Sequence, residues 1–191
     1  MERIPIKAHP YLFDRVFQEL QQVLGDNISW LNHIFGKAER LEKDYKTRWH
    51  YWSPNVYIGN DQYENIEPDY NSIGNYSFFT LWDPQTLNNW GMMGQPLCMK
   101  SKFSLIVFVN LHDIESDDDR NTEYVKREVL RTLHDAHLRE GQIEIENVWE
   151  RDGDGGVFRD FGMDENDNQY MASPYAAFRF EGHITLRDTC K

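Results

Sequence analysis

From Tyr175 to Arg187 the side chains alternate without a break. One face reads Ala176, Phe178, Phe180, Gly182, Ile184 and Leu186. The other reads Tyr175, Ala177, Arg179, Glu181, His183, Thr185 and Arg187. A period of two marks a strand with one apolar and one mixed face. Its length exceeds the common strand of about 5–6 residues. Such a strand commits the chain to a sheet and is long enough to reach past one domain to a neighbour. The mixed face alternates in charge, which makes Arg179, Glu181, His183 and Arg187 the candidate subunit interface.

The remaining pattern supplies a sheet and two helices. Phe103, Leu105, Val107, Val109 and Leu111 share one face of a second strand, with Ile106 and Phe108 on the other, so both faces need cover. Leu12, Val16, Leu20 and Val23/Leu24 recur at helical spacing, widened by Phe13 and Phe17, and predict a helix over 10–24 ended by Gly25. A second helix over 122–138 begins at Asn121-Thr122, carries Val125, Val129, Leu130, Leu133 and Ala136, and is closed by Gly141. Gln142 to Trp149 alternates, with Ile143, Ile145 and Trp149 on one face and Glu144 and Glu146 on the other. Strands are also expected at 54–59 and 75–82, and a turn or loop at Trp30–Gly36. Segregated helices and strands point to an α+β fold: one mainly antiparallel sheet of four to six strands with two packed helices. The length suits a single domain over 1–191, with an aromatic, turn-rich region at 44–100 and a long acidic loop at 151–173.

Charge narrows the partners. The net charge is −12, and residues 111–170 carry 7 bases against 18 acids. That balance lacks the basic footprint of a nucleic-acid binder. The chain shows no apolar run of transmembrane length and no apolar start of signal-peptide type, so the expected setting is the cytoplasm, without membrane partners. Cys98 and Cys190 belong to no partner motif and read as thiols.

Candidate chemistry is sparse. Asp152-Gly153-Asp154-Gly155-Gly156 invites a calcium loop, but the sixth position is Val157 rather than glycine. A start at Asp164 fails in the same way at Gln169 and Tyr175. His134 and His137 stand three apart and need a third ligand from elsewhere to hold a metal. The aromatic cluster at 44–100 suits core packing better than base stacking, because its surroundings are near neutral. No nucleophile-elbow, phosphate-loop, zinc-protease or C-x-x-C motif occurs. The sequence therefore assigns no catalytic, cofactor-binding or metal residue. The expectation is a non-enzymatic protein without a cofactor. The alternative is a small-molecule-binding or hydrolytic module using the aromatic cluster and the acidic loop.

Tyr76-Ser77-Phe78-Phe79-Thr80-Leu81-Trp82-Asp83-Pro84 and Ser173-Pro174-Tyr175-Ala176-Ala177-Phe178-Arg179-Phe180-Glu181-Gly182 resemble segments of uncharacterised proteins encoded in phage and prophage regions of Bacteroides-type bacteria. The α-β-β-β-α-β-β order with a long last strand, over about 10–187, resembles phage tail-terminator and tail-completion proteins. That resemblance implies a structural protein that self-associates into a ring in the tail context. Its partners would be tail-tube and head-completion proteins. It would be found in the cytoplasm of the bacterial host and in the virion tail of an active phage. An acidic lumen would discourage passing DNA from adhering.

Overall fold

The structure, a computed structural model, describes residues 3–44, 50–66, 73–88, 97–114, 121–150, 156–161 and 174–188, with backbone alone for 41–44, 50–52, 97 and 188. The Asp152/Asp154 and Asp164 candidates, the acidic run 115–119, Cys190, Trp49, Tyr70 and Trp90 lie outside the described residues.

The elements run α1 (Phe13–Asn27), β1 (His33–Lys37), β2 (Glu39–Asp44), β3 (His50–Gly59), β4 (Gln62–Asn65), β5 (Tyr76–Leu81), β6 (Thr86–Asn88), β7 (Leu97–Asn110), α2 (Thr122–His134), β8 (Gly141–Trp149) and β9 (Tyr175–Asp188). The main sheet has the order β1-β5-β7-β9-β8, with β6 alongside the start of β7. Its one parallel pair is β1 with β5; the other pairs are antiparallel. The fold is thus α+β with a mostly antiparallel sheet and two helices. The single sheet expected from the sequence is corrected by a second, antiparallel one, β2-β3-β4.

Three layers result. Phe103, Leu105, Val107 and Val109 of β7 and Phe178, Phe180 and Ile184 of β9 meet α1 and α2 in one core. Ile106 and Phe108 face a second core with Phe35, Val56, Tyr76 and Phe78, closed by Val157, Phe158 and Phe161. Both faces of β7 are therefore covered, as its two apolar faces require. Among the described aromatic residues of the 44–100 region, Tyr57, Tyr76, Phe78 and Phe79 are buried. Tyr76 stacks on Phe108 at 5.4 Å, and Phe78 meets Phe161 edge-on at 5.8 Å.

Several boundaries move, each for a local reason. Gly25 lies inside α1, beside Ile4, and the helix ends where the Ile28 N–H donates to the Leu24 carbonyl at 2.8 Å. Trp30–Gly36 is not wholly a turn: from His33 onward it forms β1, which sends Ile34 into one core and Phe35 into the other. Asn121 caps α2, its Oδ1 accepting from the Tyr124 N–H at 2.7 Å. That helix stops at His134, short of the expected 138. Gly141 opens β8 instead of closing α2, and the close approach of β9 there suits glycine, since a Cβ would sit 2.4 Å from the Thr185 carbonyl oxygen.

The long strand does not reach out of the sheet. β9 pairs with β7 along its whole length on one side and with β8 on the other, so it is an interior strand. Trp149 also leaves the face assigned to it. A bulge between Ile145 and Asn147 reverses the alternation of β8. Ile143 and Ile145 face the helices beside Ile184 and Gly182. Val148 keeps that face beside Phe180, and Trp149 lies beside Arg179 on the opposite face.

Candidate assembly surface

The two edges of the main sheet differ. The β1 edge is covered: the Ile34 N–H donates to the Arg3 carbonyl at 2.8 Å, and Gln21 Nε2 donates to the Ile34 carbonyl at 2.8 Å and the Pro5 carbonyl at 3.2 Å. At the other edge, β8 pairs with β9 alone among the described residues. An open edge strand presents unpaired backbone donors and acceptors and is a template for association.

Beside that edge lies a groove of about 1150 Å³ between α2 and β8. α2 spends Val125, Val129 and Leu133 on the core, which leaves Leu130 half-buried on the groove side. Leu138, Ile143, Ile145 and Val148 supply the rest of the apolar lining. Val148 and Trp149 are 37% and 39% exposed. The charged lining consists of Lys126, Arg127, Arg131 and Arg187 against Glu123 and Glu144, together with His134 and His137. Arg131 pairs with Asp135 at 3.8 Å, so bases and carboxylates are close to balanced on this surface. Lys126 is held by Glu123 and, at 2.8 Å, by Glu150; burial opposes its charge, but these two carboxylates outweigh that and hold its pKa above 10.5.

The opposite face of β8 is anchored by a charged cluster. The Arg179 side chain has no exposed surface. Its Nε donates to Glu181 Oε1 at 2.6 Å, its Nη1 to the Val157 carbonyl at 3.1 Å, and its Nη2 to Asp160 Oδ2. The guanidinium lies 5.0 Å from the centre of the Trp82 ring. Arg159 also pairs with Glu181, and sits 5.4 Å from the centres of both Trp82 and Trp149. Trp149 Nε1 donates to Glu181 Oε2 at 2.9 Å. Burial pushes the Glu181 carboxyl up, but Arg179, Arg159 and the Trp149 N–H together outweigh it and hold the group below its ordinary 4.5.

The four candidate interface residues therefore separate. Arg179 and Glu181 turn inward and bind the 156–161 segment and β8 to the sheet. His183 is half-buried, its Nδ1 2.9 Å from Glu146 Oε1 at the bulge. Arg187 is exposed and lines the groove. His134 and His137 are both exposed on the groove wall, and among the described residues no three His, Cys, Asp or Glu side chains gather to hold a metal ion. Cys98 is a half-buried free thiol. Among the described residues no helix is long and apolar enough to cross a membrane. Sequence reasoning missed the groove; its signals were Leu130 at the margin of the α2 stripe and Val148 next to Trp149.

No protein-family model matches the chain, and no curated protein matches it in sequence.

Proposed function

We propose that this chain is a non-enzymatic structural protein that assembles with copies of itself. The reading follows the tail-terminator and tail-completion proteins of phages and prophages that its sequence resembles. The observation that supports it is the β8 edge, which among the described residues pairs with β9 alone, beside an apolar groove. An open groove next to unpaired backbone suits a protein partner. In the tail context the assembly is a ring that contacts tail-tube and head-completion proteins.

Closed rings in negative-stain images of the concentrated protein are the expected result. Single particles at every concentration, or open fibres, would overturn the ring. Open fibres would leave self-association standing, because a head-to-tail contact that fails to close grows without limit.

A further inference from the structure

The two ends of β7 differ in charge. Near its start, Lys100 and Lys102 share the row of Ser104 and Ile106, on the face of the sheet away from the helices. β9 sets Thr185 beside Lys100, His183 beside Lys102 and Arg187 beside Cys98. Lys100 is half-buried, and Lys102 and Arg187 are exposed. Among the described residues no carboxylate forms an ion pair with Lys100, Lys102 or Arg187. That includes Asp83, which follows Trp82, whose N–H donates to the Lys102 carbonyl at 3.0 Å. Glu144 stands across β9, two strands or about 10 Å from Lys102, and Glu146 is engaged with His183.

The other end of β7 leads through Leu111–Asp113 to Glu115-Ser116-Asp117-Asp118-Asp119, four carboxylates in five residues. Tyr175, paired with Asn110 at that same end, is preceded by Asp164, Glu165 and Asp167, with no base from 160 to 174. One copy cannot join these ends to each other. Lys100 is ten residues, or about 33 Å, from Asn110 along β7. Residues 115–120 are tied at Ile114 and Asn121 and reach about 12 Å at most from those anchors.

Resting on the self-assembly reading, we infer that the acidic run 115–119 of one copy docks on the Lys100–Lys102–Arg187 strip of a second copy. A short acidic run matches a strip of three bases, whereas duplex DNA takes a longer basic footprint. Arg187 also lines the α2–β8 groove, so the strip adjoins the surface at the β8 edge. The contact joins unlike ends. Each copy therefore keeps one free run and one free strip, and the chain of contacts can close on itself.

The test reverses charge on each side. Lys100→Glu with Lys102→Glu disables the strip; Asp117→Lys with Asp118→Lys disables the run. In sedimentation at low salt, each pair of changes is expected to weaken association about tenfold or more, because like charges then face each other. A chain carrying all four changes should associate again, and its association should weaken as salt rises. That rescue separates a contact between copies from damage to the fold. Lys102→Glu with Arg187→Glu serves if Lys100→Glu fails to fold. Wild-type association by the strip or run variants, or no rescue in the combined chain, overturns the docking and leaves self-assembly intact. Strip variants that associate normally but lose binding to a short DNA duplex overturn it in the same way. A wild-type chain that never associates overturns both.

Discussion

Replacing Gly182 with alanine is expected to cost about 3 kcal/mol of stability or more. A Cβ at this position would lie 1.7 Å from the Glu144 carbonyl oxygen, 2.7 Å from its carbonyl carbon and 2.9 Å from Ile145 Cα. All three are backbone atoms of the neighbouring strand, so no side-chain rotation relieves the clash. Gly182 is not among the positive-φ glycines, Gly59 and Gly74, so the cost is steric. Relief requires β8 to move away from β9 at the bulge that turns Val148 toward the groove and Trp149 toward Glu181. The variant should therefore lose association as well as stability. Chemical denaturation measures the first effect and sedimentation the second. A loss of stability under about 1 kcal/mol would show that the bulge yields easily.

Arg179→Met is expected to cost about 3–5 kcal/mol at neutral pH, because it strands buried carboxylates. Asp160 is 8% exposed and loses its guanidinium partner, and Glu181 loses one of two. The pH dependence carries a sign. In the native chain the Glu181 carboxyl is held below its ordinary 4.5, so its contribution is complete above that value and lost as pH falls through the folded value. Removing Arg179 takes away the strongest opponent of burial at Glu181, so the group moves up from its native position although Arg159 and the Trp149 N–H still hold it down. The variant then carries a penalty at neutral pH that protonation relieves. The stability gap between the native chain and Arg179→Met should narrow as pH drops below 4.5. A gap that stays constant from neutral pH to about pH 3 would mean that Arg179 acts through packing alone.

The sequence exposed the elements whose burial is periodic. β9 keeps a strict two-residue alternation, β7 carries a short apolar run on both faces, and α1 and α2 keep a helical stripe, so each could be placed without knowing its neighbours. β1 spans five residues and buries Ile34 and Phe35 in opposite cores, which leaves no polar face to read. β2, Glu39-Arg40-Leu41-Glu42-Lys43-Asp44, is nearly all charged and takes its conformation from pairing with β3.

Alternation assigns a face, and it does not say what covers that face. Arg179 stood on a mixed row and was expected at an interface; Val157, Phe158 and Phe161 close over that side, and Asp160 comes with them. The phase of Trp149 depends on a one-residue bulge whose sequence trace, Gly182, lies on the partner strand. The groove belongs to neither α2 nor β8 alone and exists only where the helix and the sheet edge stand apart.

Sedimentation velocity of the wild-type chain from micromolar to millimolar concentration, alongside Val148→Arg, addresses self-assembly most directly. The expected result is a wild-type mass that climbs above the 22.8 kDa of one chain and levels at a closed species, while Val148→Arg stays at one chain. A wild-type mass of one chain at every concentration, or identical curves for the two proteins, would contradict assembly through the α2–β8 groove.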